Sequence, residues 1–423
     1  MFLNAYLQFK HKLCKEVKME VIIIGGGASG LFCGGFLTDA HKVTIIEHSD
    51  MCGKKLLITG KGRCNVTNDC DEETILKNIR TNPKFMFSSI YQYPPHKVME
   101  FFESRGVKLK TERGRRVFPV SDKAQDIKKA LEKHCKEVSF VYDDVDRLIV
   151  EDGAAKGVVL KSGKQLFADK VIVATGGMSY KQTGSTGDGY KFARQAGHTV
   201  VTPTASLVPL VENGSMCKEM MGLSLKNVNL TLVHKNKKVF SEQGEMLFTH
   251  FGISGPLVLS ASCHIKDKDI QQYKAVIDMK PALPNEVLYK RICDDFEKLH
   301  TKKAANCLEW LLPKSMIPVM LKVWGIDVEK PVNQITRQER LKLVEVMKNF
   351  EIPLNSKYKL DIAVITSGGV SVKEINPKTM QSKLCENLYF IGEVIDVDAY
   401  TGGYNLQIAF STAYAAAQAI NEL

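Results

Sequence analysis

The chain has 423 residues, with 44% apolar and 25% charged residues. That is room for two or three domains with cores of their own and the balance of an ordinary soluble protein. The formal charge of +11 suits an anionic partner such as a nucleotide, an acidic metabolite or nucleic acid, and equally suits plain solubility. The lysines are scattered, without the long basic tract that marks a nucleic-acid tail.

The eleven cysteines are odd in number. They show no Cys-x-x-Cys and no Cys/His cluster at zinc-ligand spacing, so they read as buried thiols of a reducing cytoplasm, and no metal is expected. Residues 1–19 are expected to form an N-terminal arm or an over-long start, because MFLNAYLQFKHKLCKEVK lacks the continuous apolar stretch of a signal peptide. No run reaches the roughly 20 apolar residues of a membrane span; the uncharged stretch 21–37 is too short and glycine-rich.

In chain order, 20–24 is an apolar run bounded by glycines and predicts a buried strand. A helix follows over about 28–38, then a second strand at 43–46, the start of a parallel βαβ unit. Residues 71–106 are helical, with Pro94-Pro95 opening a segment. Positions 121–137 predict an amphipathic helix capped by Ser121. Residues 146–167 alternate and are broken at Gly153 and Gly163, the pattern of a β-meander. A buried strand at 171–174 ends in Thr175-Gly176-Gly177. After about Val201, Val228, Leu230 and Leu232 alternate with polar residues as in a half-buried antiparallel strand. Residues 284–350 are helix- and lysine-rich, strand character returns at 358–366, and an alanine-rich helix closes the chain at 405–423.

Gly25-Gly26-Gly27-Ala28-Ser29-Gly30 contains G-x-G-x-x-G between a predicted strand and a predicted helix. Gly25 makes the turn, Gly27 admits a pyrophosphate, and Gly30 allows close helix packing. The helix N-terminus supplies amides and partial positive charge. Glu47, ending the second strand, stands where an acid accepts ribose hydroxyls. This motif alone does not separate NAD from FAD, and a tight ligand-free turn is the bland alternative.

The stretch ITGKGRCNVTN, 58–68, points to the larger cofactor. Lys54, Lys55, Lys61 and Arg63 follow the acidic strand end among Gly53, Gly60 and Gly62, and such a second clamp suits FAD. Asn65 and Asn68 can donate and accept, as an isoalloxazine edge requires. A solvated basic loop is the alternative. Cys64 is a buried thiol beside the flavin or a redox partner. Thr175 and Gly176 let backbone approach a ligand at a strand's carboxyl end. In 387–417 an acidic turn leads to Gly402-Gly403 and a helix whose dipole suits the flavin N1–C2=O edge. No second G-x-G-x-x-G occurs, so no dedicated NAD(P)H domain is expected.

These blocks, with FTHFGISGP, ITSGGV and NPKTMQSK, run from Val21 to Ala409 and resemble the YhiN/BaiN-type FAD-dependent flavoproteins, a family with aminoacetone-oxidase-like and bile-acid-reductase branches. The resemblance implies an α/β fold: a two-dinucleotide-binding-type FAD domain interrupted by a β-barrel-like domain that carries a helical insertion. The expected bounds are 20–200 and 366–423 for the FAD domain, 201–283 and 350–365 for the barrel, and 284–349 for the helical insertion. It places FAD contacts on Ala28, Ser29, Glu47, Lys54, Lys55, Arg63, Asn65, Asn68, the backbone of Val145, Glu393, Asp396, Asn405 and Leu406. Departures are Lys181, where the family pattern has proline, and 411–417, where it has glycine.

Residues 185–198, STGDGYKFARQAGH, also resemble the flavin domain of fumarate-reductase-like enzymes. The resulting expectation is hydride transfer from flavin N5 to a conjugated alkene, with NAD(P)H as electron donor. The bile-acid branch implies reduction of the 4- and 6-double bonds of a 3-oxo steroid. The expected partner is then an anionic, apolar-bodied small molecule in the cytoplasm, not nucleic acid. An oxygen-using amine oxidase and a tRNA-binding flavoprotein are the alternatives. Tyr180, Tyr400 and His250 are candidate proton donors. Each has a bland reading, the tyrosines as packing or substrate-lining aromatics and His250 as a structural histidine.

Overall fold

The computed structural model describes residues 18–423. The expected N-terminal arm lies outside them except for Lys18 and Met19. The chain divides into two compact units: the described residues up to Thr204 together with Ile365–Leu423, and Ala205–Val364.

The first unit is built on five parallel strands: β1 (Glu20–Ile24), β2 (Lys42–Glu47), β3 (Ser139–Tyr142), β4 (Lys170–Val173) and β5 (Leu388–Phe390). Their order is β5-β4-β1-β2-β3. Ile22 stands opposite Thr44 on one side and Val171 on the other. Val21 to Ile24 are all buried, as expected of a parallel strand covered on both faces, which explains its continuous apolar run. Helix α1 (Ala28–Leu37) returns the chain from β1 to β2. It packs on the last helix, α3 (Tyr404–Asn421), where the Phe32 and Phe410 rings lie 4.7 Å apart. Ala413, Ala415, Ala416 and Ala417 are buried, and their small size lets α3 pack closely.

The meander is present as Val145–Glu151, Ala154–Leu160 and Gln165–Phe167, all antiparallel. Helix α2 is shorter than the sequence predicts, Ala124–His134, and its N-cap is Lys123 without a side-chain cap. Ser121 instead turns the loop, its hydroxyl accepting from Lys123 N–H at 3.3 Å. Residues Ala124, Ile127, Ala130 and Leu131 form its buried face.

The second unit is a closed barrel in the order Leu210–Glu212, Gly252–Ser254, Lys237–Phe248, Ser224–His234, Tyr273–Asp278, Phe350–Lys357. Val228, Leu230 and Leu232 are buried inside the longest pairing. The strand expected at 358–366 is displaced. Phe350–Lys357 and Ile365–Val370 are the strands, and Leu360–Ile362 between them is a 3-10 turn. Pro353 disguises the earlier strand, although Phe350, Ile352 and Leu354 alternate into the core as a barrel strand requires. Helices Asn285–Lys298, Ile317–Trp324 and Arg337–Lys348 bring Leu288, Ile292, Trp324 and Leu343 into the same core. Among the described residues, no helix is long and apolar enough to cross a membrane.

Candidate cofactor site

The strand order creates a crevice. From β1 the chain moves to β2 and then β3, while β4, on the other flank of β1, leads to β5. Such a switch point leaves an opening beyond the carboxyl ends of the two central strands. Gly25 and Thr175 stand at those ends. Gly25 has φ +108°, and a Cβ there would meet the Ala174 carbonyl oxygen at 2.6 Å. A Cβ on Gly30 would lie 2.0 Å from the Gly25 carbonyl oxygen, so helix and turn touch only through glycine. Above Gly27 a Cβ would meet nothing within 4 Å.

That space lies at the N-terminus of α1, which has no side-chain cap and no acidic residue in its first turn. Leu31 N–H donates to the Gly27 carbonyl at 3.0 Å. The amides ahead of it, including those of Ala28 and Ser29, precede the helical ladder and offer donors to an anion. Glu47 closes the far side. Its Oε2 accepts from Gly26 N–H and its Oε1 from Ser49 N–H, both at 2.8 Å.

The basic loop packs tightly. Gly60, Lys61, Gly62 and Cys64 all have positive φ, near 57°, 60°, 83° and 60°. Cys64 is fully buried, and burial pushes its thiol up to about 12. A group held neutral in this way lacks the thiolate that redox exchange requires. Lys54 pairs with Asp50. Arg63 donates to Glu112 at 2.8 Å and to Asp122 at 3.3 Å, and its guanidinium lies 4.0 Å over the Phe118 ring. Asn68 Nδ2 donates to the carbonyls of Gly114 and Gly402, both at 3.0 Å.

Lys55 reaches the other side of the crevice. Its Nζ donates to Ser179 Oγ at 2.8 Å and Glu393 Oε2 at 2.7 Å. Glu393 Oε1 accepts from Thr366 N–H at 2.9 Å and from Ser179 Oγ at 3.3 Å. Thr366 Oγ1 accepts from the amides of Met178 and Ser179. Ser179 and Thr366 carry no chemical signature of their own in the sequence. Ser179 follows Thr175-Gly176-Gly177 by two residues and Thr366 lies within ITSGGV, and these places are the signal that could have found them.

At the third edge, Asn405 clamps the acidic turn, accepting from Ala399 N–H and donating to the carbonyls of Ala399 and Tyr400. Gly403 caps α3 with φ +99°, and a Cβ there would lie 2.2 Å from the Thr67 carbonyl oxygen. Leu406 packs against the core. Burial raises the Asp396 carboxyl above its usual range, opposed by the bond from Asn82 Nδ2 at 3.0 Å. Val145 begins the meander, and Gly176 has φ +72° beside Ser185.

The proton-donor candidates fall in different places. Tyr180 has φ +54° and precedes the turn Lys181–Thr183. Tyr400 is half-buried, with the Arg80 guanidinium 5.3 Å from its ring centroid. His250 belongs to the second unit, where it is exposed and edge-on to Phe251 at 5.0 Å.

The residues of this crevice fit a large dinucleotide. Asn65 Oδ1 and Thr175 Oγ1 are buried without a hydrogen-bond partner among the described residues. Each such orphan costs on the order of 1–3 kcal/mol, and a ligand carrying hydroxyls and ring N–H groups removes that cost. The open space over Gly27 fits a diphosphate.

A family profile described as the HI0933-like protein Rossmann domain matches residues 19–419. Curated relatives share nearly the whole length. The 3-dehydro-bile acid delta(4,6)-reductase of Clostridium scindens is 32% identical over 408 residues, 95% of this chain and 98% of that protein. A ribosomal RNA dihydrouridine synthase of Haemophilus influenzae is 32% identical over 410 residues, again 95% and 98%. That of Escherichia coli is 28% identical over 404 residues, with the same coverage.

Proposed function

The chain belongs to the HI0933-like Rossmann-domain family, and from that premise we propose that it is an FAD-dependent oxidoreductase that saturates a carbon–carbon double bond conjugated to a carbonyl. The observation that carries the cofactor assignment is the open cradle over Gly27 at the uncapped N-terminus of α1, and the buried, unpartnered Asn65 and Thr175 support it. The α1 amides hold the diphosphate, and Glu47 accepts the ribose hydroxyls. Lys55, Glu393 and the α3 N-terminus frame the far end. Bound FAD supplies hydride transfer at N5.

The reaction class draws on the two relatives. Reduction at the 4- and 6-positions of a 3-dehydro bile acid and formation of dihydrouridine from uridine are the same chemistry. Each adds hydride to the electrophilic carbon of a carbonyl-conjugated alkene, the β-carbon for uridine and for the 4-double bond and the vinylogous δ-carbon for the 6-double bond, and a proton to the other carbon of that double bond. NAD(P)H provides the hydride equivalent and becomes NAD(P)+; an acid on the protein provides the proton. Tyr180, Tyr400 and His250 are the candidates for that acid.

We favour a 3-oxo steroid of the bile-acid type as the substrate. A second reading, a uracil base in RNA, is supported by the charge of +11 and by equal identity to both kinds of relative. One anaerobic experiment separates them. The protein is reduced with NADH or NADPH and mixed with a 3-oxo-4,6-diene bile acid, with ribosomal RNA lacking dihydrouridine, or with oxygen and aminoacetone. Flavin reoxidation by one of the first two, with loss of its conjugated absorbance, is the expected result and names the substrate. Reoxidation by oxygen alone, with amine turnover, overturns the reductase in favour of an oxidase.

A further inference from the structure

A cavity of about 510 Å³ opens on the first unit, walled by the chain after helix Pro95–Glu103, the end of strand Arg116–Pro119 and helix α2. Its size lies within the roughly 300–1,000 Å³ of ligand pockets. Its walls include none of the residues placed around the dinucleotide crevice.

Four cations line it: Arg105, Lys108, Lys129 and Lys133. Asp126 is its one acidic residue. Among the described residues none of the three lysines forms an ion pair, although ion pairs are common elsewhere on this unit, at Lys42, Lys110, Lys128 and Lys161 for example. Lys129 and Lys133 stand four apart on α2, a like-charge spacing that is unfavourable by itself.

Arg105 is fixed in place by neutral groups alone. Its guanidinium donates to the Phe101 carbonyl and Ser104 Oγ, meets His134 Nδ1 at 3.0 Å, and lies 3.7 Å over the Phe101 ring. The result is a guanidinium held in one orientation with its charge uncompensated. Four cations against the single carboxylate of Asp126 around one concavity, one of the cations immobilised, match an oxyanion bearing several charges.

We propose that this cavity is a phosphate site, taking successive phosphates of an RNA strand or the linked phosphates of a free polyphosphate. The inference does not depend on the proposed reductase chemistry, since it concerns other residues and another readout. Lysines here act as point charges on phosphate oxygens, so their contribution appears as released counterions.

The test uses full-length, flavin-loaded protein and a short single-stranded RNA without uridine, which no uracil reductase can turn over. Binding is measured across salt concentrations for wild type and for the variant Lys108→Ala/Lys129→Ala/Lys133→Ala. Three phosphates are then no longer neutralised, and the log–log salt slope falls by about 2, at about 0.7 per phosphate on a single strand. Inorganic pyrophosphate is titrated into both proteins by calorimetry. A changed RNA slope assigns the site to a nucleic-acid chain. An unchanged RNA slope with pyrophosphate heat abolished in the variant assigns it to a free polyphosphate. If neither ligand distinguishes the two proteins, the proposal is overturned. Asp126→Asn provides the opposite sign without removing a cation: it tightens whichever ligand binds, and unchanged binding of both RNA and pyrophosphate by this variant also overturns the proposal. Flavin content and turnover of a small enone stay at wild-type level in these variants, which separates failure here from failure of the reductase assignment.

Discussion

Lys55 Nζ and Glu393 Oε2 lie 2.7 Å apart although 338 positions separate the residues in sequence. The pair joins the short helix Lys54–Ile58 to the turn after β5, with Ser179 bridging both side chains. Replacing Lys55 by Met leaves the Glu393 carboxylate with only the Thr366 amide and the Ser179 hydroxyl. A hydrogen bond to a charged group is worth about 1.5–3 kcal/mol. The lower end applies here, because the side chains remain 23% and 18% exposed. Denaturant unfolding is expected to show a loss of about 1.5 kcal/mol together with lower flavin content. Unaltered stability and full flavin would show that the pair is incidental.

Arg63 occupies a different network. Its bonds to Glu112 and Asp122 hold both carboxyls below their usual range: for Glu112 through Arg63 itself, for Asp122 first through Lys110. Carboxyls lowered on folding stabilise above their unfolded value, and this stabilisation is lost as pH falls through the folded value. Arg63→Ala is therefore expected to flatten the decline in melting temperature below about pH 4.5, while lowering FAD occupancy at neutral pH without unfolding the chain. A variant with full occupancy and unchanged turnover would reduce this loop to a solvated surface.

The fold is most legible in the sequence where one physical requirement dominates. Buried parallel strands must be apolar throughout, so β1 and β4 stand out as uninterrupted runs. Gly25 and Gly30 betray backbone contacts that no side chain could permit. The partners of the charged residues are less legible. Nothing local to Lys55 announces Glu393, and nothing near Asn82 announces its bonds to Asp396, because such pairs are created by the long return of the chain to the sheet. The start of α2 misleads for a local reason: Ser121 is a good cap residue but is used two residues early, in the turn. Phe350–Lys357 is obscured by a proline that barrel curvature accommodates.

His134 provides a test at mildly acidic pH. Burial, then the neighbouring Arg105 guanidinium, depresses it to about 4 from an ordinary 6.5. It packs edge-on to Phe36 and Phe101 at 4.7 and 4.9 Å. The unfolded chain therefore binds a proton first as pH falls. Stability from keeping His134 neutral is fully present above pH 6.5 and declines toward pH 4. The whole effect is at most about 3.4 kcal/mol, at 1.36 per pH unit over about 2.5 units. His134→Gln keeps a polar acceptor that does not titrate. Urea unfolding between those limits should show a shallower pH slope for this variant; identical slopes would place the histidine's titration outside the folding equilibrium.

Thr175 separates the cofactor-free protein from the loaded one by sign. Its hydroxyl is buried at the carboxyl end of β4 with no partner among the described residues, next to Gly176 with its positive φ. In the flavin-free protein that orphan is a cost, so Thr175→Val, which keeps the shape and removes the hydroxyl, is expected to stabilise by up to about 1 kcal/mol. On the proposed cofactor assignment, the same hydroxyl has a hydrogen-bonding ligand beside it in the loaded protein. Removing it there should weaken FAD binding about fivefold to tenfold, the worth of one ordinary hydrogen bond at 1.4 kcal/mol per decade. Thermal melts of the stripped and reconstituted variant, with FAD titrated by fluorescence quenching, measure both. A variant that destabilises the stripped protein and binds FAD as wild type does would mean that the hydroxyl is bonded within the protein and that the dinucleotide lies elsewhere in the crevice.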